Sequence, residues 1–368
     1  MADEQPQVSD FTEHRAPLAG TDKELVWLPP DEKPFRLSGF PWYDDNGLFR
    51  RLPVNSADKF RDAVDNLADC TAGGQVSFRS DTSEIAVSVE LAGPAGMCHM
   101  PATGQCGVDL YTGAPFNQRF HNTAKFDHTE LSYEVLLFKH PEREMRNFTL
   151  NFPLYQGVKQ VRIGLAPESH VQAPLPWTED GRIVVYGTSI TQGGCASRPG
   201  MAYTNILSRM LNMEFINLGF SGNGRGDPEV IETMACIPTS QLYVLDYEAN
   251  SVDFDTYSKT LPKAISMLRT EHKDTPILVL SRITYAREFT HLEARESAQR
   301  NRAMQANLVR DLREKGDENV HFVDGSDLLG QDADECTVDG AHPNDLGFMR
   351  MAQNLAGPIG DILGIAER

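Results

Sequence analysis

Ser189 has the residue type and the position that nucleophilic catalysis requires. It lies in VVYGTSIT, residues 184–191, where three apolar or aromatic residues lead directly into Gly-Thr-Ser. A serine hydroxyl becomes a nucleophile only when a base takes its proton and a third group orients that base. Since Gly-x-Ser turns without a catalytic role are common, the other loops have to decide between a turn residue and a nucleophile.

The base and its orienting partner are predicted in one loop near the end of the chain. Asp339 and His342 lie in VDGAHPND, residues 338–345, between the last strand-like run and the last helix-like run. One loop can present both side chains together, so that the carboxylate fixes the imidazole tautomer while Nε2 faces the serine. The alternative is a turn aspartate beside a solvated histidine.

Donors for a developing oxyanion are predicted in two further loops. The glycines of NLGFSGNGRGD, residues 217–227, allow backbone N–H groups to approach a ligand closely. The segment LDYEANSVD, residues 245–253, offers the side-chain amide of Asn250. The alternatives are a tight turn for the glycines and a helix N-cap for Asn250. Together the four loops predict an acyl-transfer site.

The chain from residue 182 onward predicts the framework that brings these loops together. Helix-like stretches alternate with short runs rich in β-branched residues, namely RIVVYG, EFINLG, QLYVLDY, PILVLSR and VHFVDG. This alternation predicts an α/β domain with a parallel sheet and helices on both faces. Ligands of such folds bind outside the carboxyl ends of the strands, and the four loops leave that edge.

The first half of the chain has a different period. Up to about residue 170, runs such as QVSFRSDTSEIAVSVEL and LSYEVLLFKH alternate apolar and polar residues, which predicts an antiparallel β-sandwich. The N-terminal segment is irregular, with one helix expected in SADKFRDAVDNLA, residues 56–68. Residues 168–182 contain turn-forming residues and no periodicity, which indicates a linker or an early loop of the next domain. We therefore expect two domains, residues 1–170 and 178–368.

Composition limits the possible partners and locations. The 368 residues are 40% hydrophobic and 23% charged, which is typical of a globular protein. With 52 acidic and 34 basic residues, the net charge of −18 argues against binding nucleic acid or an anionic membrane surface. The chain starts without a secretory signal pattern, and no apolar run approaches the length of about 20 residues that spans a bilayer. The six scattered cysteines predict reduced thiols, with a Cys98–Cys106 disulfide as the alternative, and the expected location is the cytoplasm.

The ordered blocks GTSITQGG, NLGFSGNG, an asparagine after the third strand and DGAHPND resemble the SGNH (GDSL-like) hydrolase superfamily. The resemblance implies a flavodoxin-like catalytic domain. It also implies Ser189 as the nucleophile, with Asp339 and His342 as the other members of the triad. The oxyanion donors implied are the N–H of Ser189, Gly222 and the amide of Asn250.

Three details of these blocks differ from the family pattern or leave a choice. Gly219 competes with Gly222 as the glycine donor. Thr188 stands where the family usually has aspartate, as in a sub-branch seen among carbohydrate esterases. The third block reads YEAN in place of Gly-x-Asn-Asp, which makes Asn250 the least certain donor by motif.

The segment CGVDLYTG, residues 106–113, resembles the Gly-x-Asp-Leu-Tyr signature of a jelly-roll-like β-sandwich domain that precedes such hydrolase domains. Glycines weaken a strand and a carboxylate resists burial, so we expect a tight loop. In that loop Asp109 and Tyr111 would bind sugar hydroxyls. The alternative is a structural turn, in which Asp109 caps backbone N–H groups and Tyr111 packs on the interface between the domains.

These expectations combine into a functional hypothesis. The protein is predicted to be a serine esterase that removes small acyl groups, acetyl above all, from sugars or oligosaccharides through an acyl-enzyme, without a cofactor or metal. The acetyl preference follows from the carbohydrate-active members of the family that the sequence resembles. The alternatives are a general short-chain carboxylesterase or thioesterase, and a non-catalytic carbohydrate-binding protein on a hydrolase scaffold.

Overall fold

The computed structural model describes residues 7–10, 15–22, 24–54 and 59–365, which form two compact units. The sandwich unit takes its described residues from Met1–Arg50, Asp69–Trp177 and Ser197–Gly200. The hydrolase unit takes them from Arg51–Ala68, Thr178–Ala196 and Met201–Arg368. The two units are therefore not continuous in the chain: Arg51–Ala68 belongs to the hydrolase unit, and Ser197–Gly200 belongs to the sandwich unit.

The sandwich unit contains two antiparallel sheets, as the period-two pattern predicted. One sheet has the strand order β1-β2-β10-β5-β8, and the other has β11-β4-β9-β6-β7 with β3 paired to β4. The strands in chain order are β1 (Arg15–Ala16), β2 (Leu25–Leu28), β3 (Arg36–Ser38), β4 (Gln75–Ser80), β5 (Glu84–Leu91), β6 (Asp109–Thr112), β7 (Arg119–Thr123), β8 (Ser132–Lys139), β9 (Arg146–Asn151), β10 (Val158–Leu165) and β11 (Val171–Gln172).

The core of the sandwich unit is built from the alternating apolar residues of these strands. Val76 and Phe78 of β4 belong to one buried cluster with Val87 and Val89 of β5 and with Ile163 of β10. Burying each such side chain stabilises the fold by roughly 1.5–3 kcal/mol. Two short helices, α1 (Tyr43–Asn46) and α3 (Ala102–Gln105), connect the strands.

The hydrolase unit contains a five-stranded parallel sheet, which confirms the predicted fold class. Its strands are β12 (Arg182–Gly187), β13 (Glu214–Gly219), β14 (Ser240–Asp246), β15 (Ile277–Leu280) and β16 (Val320–Val323). The spatial order is β13-β12-β14-β15-β16, with every neighbouring pair parallel. This is the 2-1-3-4-5 order of the flavodoxin-like fold. In that fold the strand order reverses beside the first strand, which is the topological switch point of the sheet. Ser189 follows that strand.

The helices of the hydrolase unit form two packed groups. α5 contacts α10, while α7 contacts α6 and α9. The helices are α2 (Asp62–Ala68), α4 (Ser189–Gln192), α5 (Tyr203–Leu211), α6 (Pro228–Ala235), α7 (Phe254–Glu271), α8 (Arg287–Thr290), α9 (Leu292–Glu314) and α10 (Asp345–Leu363). The helix expected over residues 56–68 is observed as α2, although residues 55–58 lie outside the described residues. Among the described helices, none is long and apolar enough to cross a membrane.

Candidate active site

The turn that carries Ser189 is fixed by two threonines. Thr188 is the N-cap of α4, and its side-chain oxygen accepts a hydrogen bond of 3.3 Å from the Ile190 N–H. In return, the Thr188 N–H donates to Thr191 Oγ1 at 3.2 Å, which completes a capping box. The threonine that replaces the usual aspartate therefore has a structural role at the start of the nucleophile helix.

Glycines allow neighbouring strands to end directly against this turn. A Cβ atom added to Gly187 would lie 1.9 Å from Thr191 Oγ1, and one added to Gly219 would lie 2.3 Å from the Gln192 nitrogen. Neither distance is sterically possible. A glycine at the end of each of these two apolar runs therefore indicates that the strand end packs directly against the backbone of the turn that follows Ser189.

Ser189, His342 and Asp339 form a continuous series of hydrogen bonds. Ser189 Oγ lies 2.9 Å from His342 Nε2, and His342 Nδ1 lies 2.7 Å from Asp339 Oδ2. Since the Nδ1–H donates to the carboxylate, Nε2 is the atom that accepts the serine proton. Only 7% of Ser189 is exposed to solvent. The loop of residues 338–345 and the loop after β12 thus bring together the three residues that the sequence singled out.

The Asp339 carboxylate is held in its charged form. Partial burial raises its pKa, but hydrogen bonds from the His342 N–H, the His342 ring and the Ala341 N–H outweigh this effect and lower the pKa to about 2. The backbone bonds measure 2.8 Å from His342 and 3.0 Å from Ala341, both to Asp339 Oδ1. Oδ2 is therefore left to orient the imidazole and to stabilise its positive charge when it takes a proton.

The structure favours Gly222 over Gly219 as the glycine donor. The Gly219 N–H already donates to Asn217 Oδ1 at 2.9 Å. The Gly222 N–H has no hydrogen-bond partner among the described residues, and the backbone of Gly222 has a positive φ of 68°. A donor that is not engaged within the protein is available to a ligand.

Asn250 lies in the short 3₁₀ turn Glu248–Asn250 that follows β14. It does not cap the next helix, because the N-cap of α7 is Asp253, whose side chain accepts from the Thr256 N–H at 2.7 Å. The N-cap alternative for Asn250 is therefore wrong. The Asn250 side-chain Oδ1 is buried and has no hydrogen-bond partner in the described part of the chain.

Sequence reasoning missed a buried carboxylate beneath the nucleophile turn. Asp246 ends β14 in register with Gly187, and its Oδ2 accepts hydrogen bonds of 2.8 Å from both Thr191 Oγ1 and Tyr203 OH. Burial raises the pKa of Asp246 to about 7, against the opposing effect of those hydroxyl donors. An aspartate at the end of an apolar strand, one strand away from a Gly-Thr-Ser turn, was the available signal.

A second missed residue explains why Arg51–Ala68 belongs to the hydrolase unit. Arg51 is fully buried, and its Nη1 donates to the Gly219 carbonyl at 2.6 Å and to the Asn217 carbonyl at 3.1 Å. Its Nη2 donates to the Leu67 carbonyl in α2 at 2.6 Å. The guanidinium thus ties this segment to the carboxyl end of β13, where the glycine-rich loop begins.

The expected tight loop at CGVDLYTG is wrong, because Asp109 and Tyr111 lie on the buried strand β6. Asp109 is fully buried and accepts from Arg198 Nη1 at 3.0 Å, the Gly200 N–H at 2.8 Å and Asn151 Nδ2 at 2.7 Å. These donors, one of them a cation, compensate the cost of burying a carboxylate. Tyr111 is also buried, and its hydroxyl accepts from Arg198. This geometry favours a structural role over contact with sugar hydroxyls.

Comparisons with known proteins agree with this fold. Residues 180–359 match the model of the GDSL-like lipase/acylhydrolase family, and residues 25–171 match the model of the N-terminus of SGNH-hydrolase-type esterases, named GxDLY. A crystal structure of a GDSL-like lipase from Bacteroides ovatus is 32% identical, with a TM-score of 0.84 over 94% of this chain and 99% of the other. No curated protein sequence matches the chain.

Two more distant structures share the fold over most of the chain. The salicylyl-acyltransferase SsfX3 from a tetracycline biosynthetic pathway is 18% identical, with a TM-score of 0.75 over 94% of this chain and 99% of the other. A family two carbohydrate esterase from Cellvibrio japonicus is 14% identical, with a TM-score of 0.58 over 93% and 98%. At these identities the likeness shows a common fold.

Proposed function

The chain belongs to the GDSL-like lipase/acylhydrolase family, and we propose that it is a serine esterase that removes small acyl groups, acetyl above all, from sugars or oligosaccharides. The observation that carries the proposal is the series of hydrogen bonds from Ser189 through His342 to Asp339, with distances of 2.9 and 2.7 Å. A serine with this partner is activated for attack on an ester carbonyl.

In the proposed mechanism, Ser189 Oγ attacks the carbonyl carbon of the ester while its proton moves to His342 Nε2. The negative charge that develops on the carbonyl oxygen is met by the N–H groups of Ser189 and Gly222 and by the amide of Asn250. The imidazolium then gives its proton to the sugar oxygen as the carbon–oxygen bond breaks, which leaves an acyl-serine.

The second half of the cycle returns the enzyme to its starting state. His342 takes a proton from a water molecule, which attacks the acyl carbon, and the tetrahedral intermediate collapses with release of the acid and restoration of the Ser189 hydroxyl. The Asp339 carboxylate remains ionised throughout, consistent with its pKa of about 2. Its charge stabilises each imidazolium that forms.

The preference for sugar esters is supported by likeness and by chain organisation. The carbohydrate esterase from Cellvibrio japonicus shares the fold over 93% of this chain, a share too large to be covered by either unit alone. The negative net charge of −18 disfavours polyanionic substrates and is compatible with a neutral one.

The experiment is a substrate panel measured on the full chain. It contains acetylated xylo-oligosaccharides, other acetylated sugars, thioesters, and p-nitrophenyl esters of increasing chain length. We expect the highest kcat/KM for an acetylated sugar and a fall in rate beyond short acyl chains. A preference for longer p-nitrophenyl esters or thioesters would instead assign the general carboxylesterase or thioesterase.

Ser189→Ala provides the test of the nucleophile within the same panel. We expect a loss of about 10³-fold or more in kcat on every substrate, as for a triad that acts as a unit. The matched control is Ser266→Ala, an exposed serine on α7, which should retain full activity. Residual activity of Ser189→Ala above a tenth of the wild-type rate would exclude this mechanism, and a wild-type chain that binds sugars without hydrolysing any ester would indicate the non-catalytic alternative.

A further inference from the structure

A polar cavity of about 460 Å³ lies in the hydrolase unit beyond the triad. One wall is the loop after β14, with Glu248, Ala249 and Ser251. A second wall follows β15 and contains Tyr285 and Arg287, and α9 supplies the third. The volume falls within the range of about 300–1,000 Å³ that is usual for small-molecule sites.

The cavity adjoins the candidate active site through two of its walls. Ala249 and Ser251 flank Asn250, the proposed oxyanion donor, in the same loop. The second wall contacts the loop of Asp339 and His342, because the Ala286 N–H donates to the Gly340 carbonyl at 2.9 Å. The cavity is thus built partly from one loop of the candidate active site and partly from a segment that contacts another.

The framework of the cavity is rigidly bonded around a buried carboxylate. Glu248, which is 4% exposed, accepts from the Arg282 N–H at 2.9 Å, from Asn301 Nδ2 at 3.1 Å and from Gln305 Nε2 at 2.8 Å. These bonds join the loop after β14, the loop after β15 and α9. A site held in this way is formed before the ligand binds, which lowers the entropic cost of binding.

The lining offers both donors and acceptors but no excess charge. Arg282 and Arg287 are balanced by Glu248 and Glu293 among the lining residues. The guanidinium of Arg287 is exposed and makes no hydrogen bond or ion pair with another described residue. Ser297 and Glu293, which also line the cavity, are likewise exposed, and their side chains make no hydrogen bond or ion pair with another described residue. Polar atoms without partners, of both kinds, suit a neutral ligand whose hydroxyl groups both donate and accept.

We propose that this cavity binds a sugar unit of the alcohol part of the ester, which deepens the function proposed above and rests on it. An acetyl group is small and apolar, so it needs neither this volume nor this polarity. A sugar ring offers several hydroxyl groups to Arg287, Ser297 and Glu293, and an apolar face to the ring of Tyr285. Binding there positions the ester carbonyl beside Ser189 without taking part in the bond-breaking step.

The test fills the cavity. Ala294, a half-buried lining residue in the first turn of α9, is changed to tryptophan. We expect KM for the best acetylated oligosaccharide of the panel to rise by about tenfold or more, while kcat/KM for p-nitrophenyl acetate stays within about threefold, since only the sugar uses the cavity. The matched control is Gln299→Trp, an exposed position on the same helix outside the lining, which should leave both substrates unchanged.

A second variant keeps the inference testable if Ala294→Trp does not fold. Arg287→Ala removes a side chain without filling space, and we expect a rise of about three- to tenfold in KM for the same oligosaccharide and no change with p-nitrophenyl acetate. An unchanged KM for the sugar ester in Arg287→Ala and in a folded Ala294→Trp would overturn the inference while leaving the esterase function intact. Equal losses on both substrates would also overturn it, because they would indicate damage to the triad.

Direct binding separates this inference from the proposed function. Deacetylated and acetylated xylo-oligosaccharides are titrated by calorimetry into Ser189→Ala and into Ser189→Ala/Ala294→Trp. Binding to the first and loss of at least about tenfold in affinity in the second would support the cavity as a sugar site, even if the wild type hydrolysed only simple esters. Absence of binding to Ser189→Ala would overturn it.

Discussion

Asp339 in the hydrolase unit and Asp109 in the sandwich unit were both singled out by the sequence for chemistry, yet their surroundings differ. The side chain of Asp339 is 38% exposed, and every donor in its network comes from residues 341–342 of its own loop. Asp109 is fully buried, and the donors named above come from two separate parts of the chain, strand β9 and the segment that contains Gly200 and the cation of Arg198.

The contrast teaches which polar neighbour marks a reactive carboxylate. The partner of Asp339 is an imidazole, which can gain and lose a proton, so the carboxylate can stabilise a charge that appears during a reaction. The partner of Asp109 is a guanidinium, which keeps its charge, so the pair is fixed in one state. The sequence around Asp109 does not show which of these two situations applies, because its partner Arg198 is far away in the chain.

Substituting asparagine for each aspartate gives the largest expected effect. Asp339→Asn keeps the size of the side chain but favours the wrong imidazole tautomer, so kcat should fall by about 10³–10⁴-fold with the melting temperature little changed. Asp109→Asn is the matched variant in the other unit, and the folded fraction should retain kcat. Steady-state kinetics on p-nitrophenyl acetate and thermal melts check both. Similar kcat values for the two variants would remove the distinction between the regions.

Substitution of Asn250, in the loop after β14, gives the next largest effect. Asn250→Ala removes an amide that the fold does not use as a helix cap, so it should lower kcat by about 10²–10³-fold, with little change in KM or in stability. Asn307→Ala, an exposed amide on α9, is the control. If Asn250→Ala lowered the melting temperature and left kcat intact, Asn250 would belong with Asp109 among the structural residues.

The third effect is the loss of stability in the sandwich unit. Asp109→Asn leaves the Arg198 charge without its counter-ion in a buried setting, which should cost about 3–5 kcal/mol in the free energy of unfolding. Denaturant titration measures this, with Glu130→Gln as an exposed control in the same unit. A rise in KM for an acetylated oligosaccharide, without loss of stability, would instead restore Asp109 as a substrate contact.

The same contrast explains how far the sequence could predict this molecule. Strands β12 to β16 follow from apolar, β-branched runs, and the loops at their carboxyl ends follow from the parallel topology, so the positions of Ser189, His342 and Asp339 were predictable. The assignment of CGVDLYTG to a loop was wrong because local rules exclude a buried carboxylate in a strand. They hold no information about the Arg198 that compensates it.

Long-range placement accounts for the other differences. Arg51 lies in a polar segment between strands β3 and β4, and nothing local indicates that its guanidinium binds the carbonyls of Asn217 and Gly219. The alternation of helices and strands implied a helix between β13 and β14, but no stretch of sequence was assigned to α6, although proline at its first turn is a typical start signal. Tertiary contacts decide the placement of Arg51.

Asp246 gives the smallest expected effect. It tests whether burial alone, without a cationic partner, can raise the pKa of a carboxylate into the neutral range. Burial raises its pKa to about 7, above the ordinary value of 3.8, so the folded protein holds this proton more tightly than the unfolded chain does. The resulting stabilisation is fully present below about pH 4 and is lost as the pH rises through 7.

In Asp246→Asn, the side chain has no proton to lose. The wild type should therefore lose stability relative to the variant by up to about 1.4 kcal/mol per pH unit between pH 4 and 7. Denaturant titrations of both proteins at intervals of one pH unit measure the difference, with Asp255→Asn on the exposed side of α7 as the control. A difference that stays constant with pH would mean that Asp246 is ionised throughout and is held by Thr191 and Tyr203 alone.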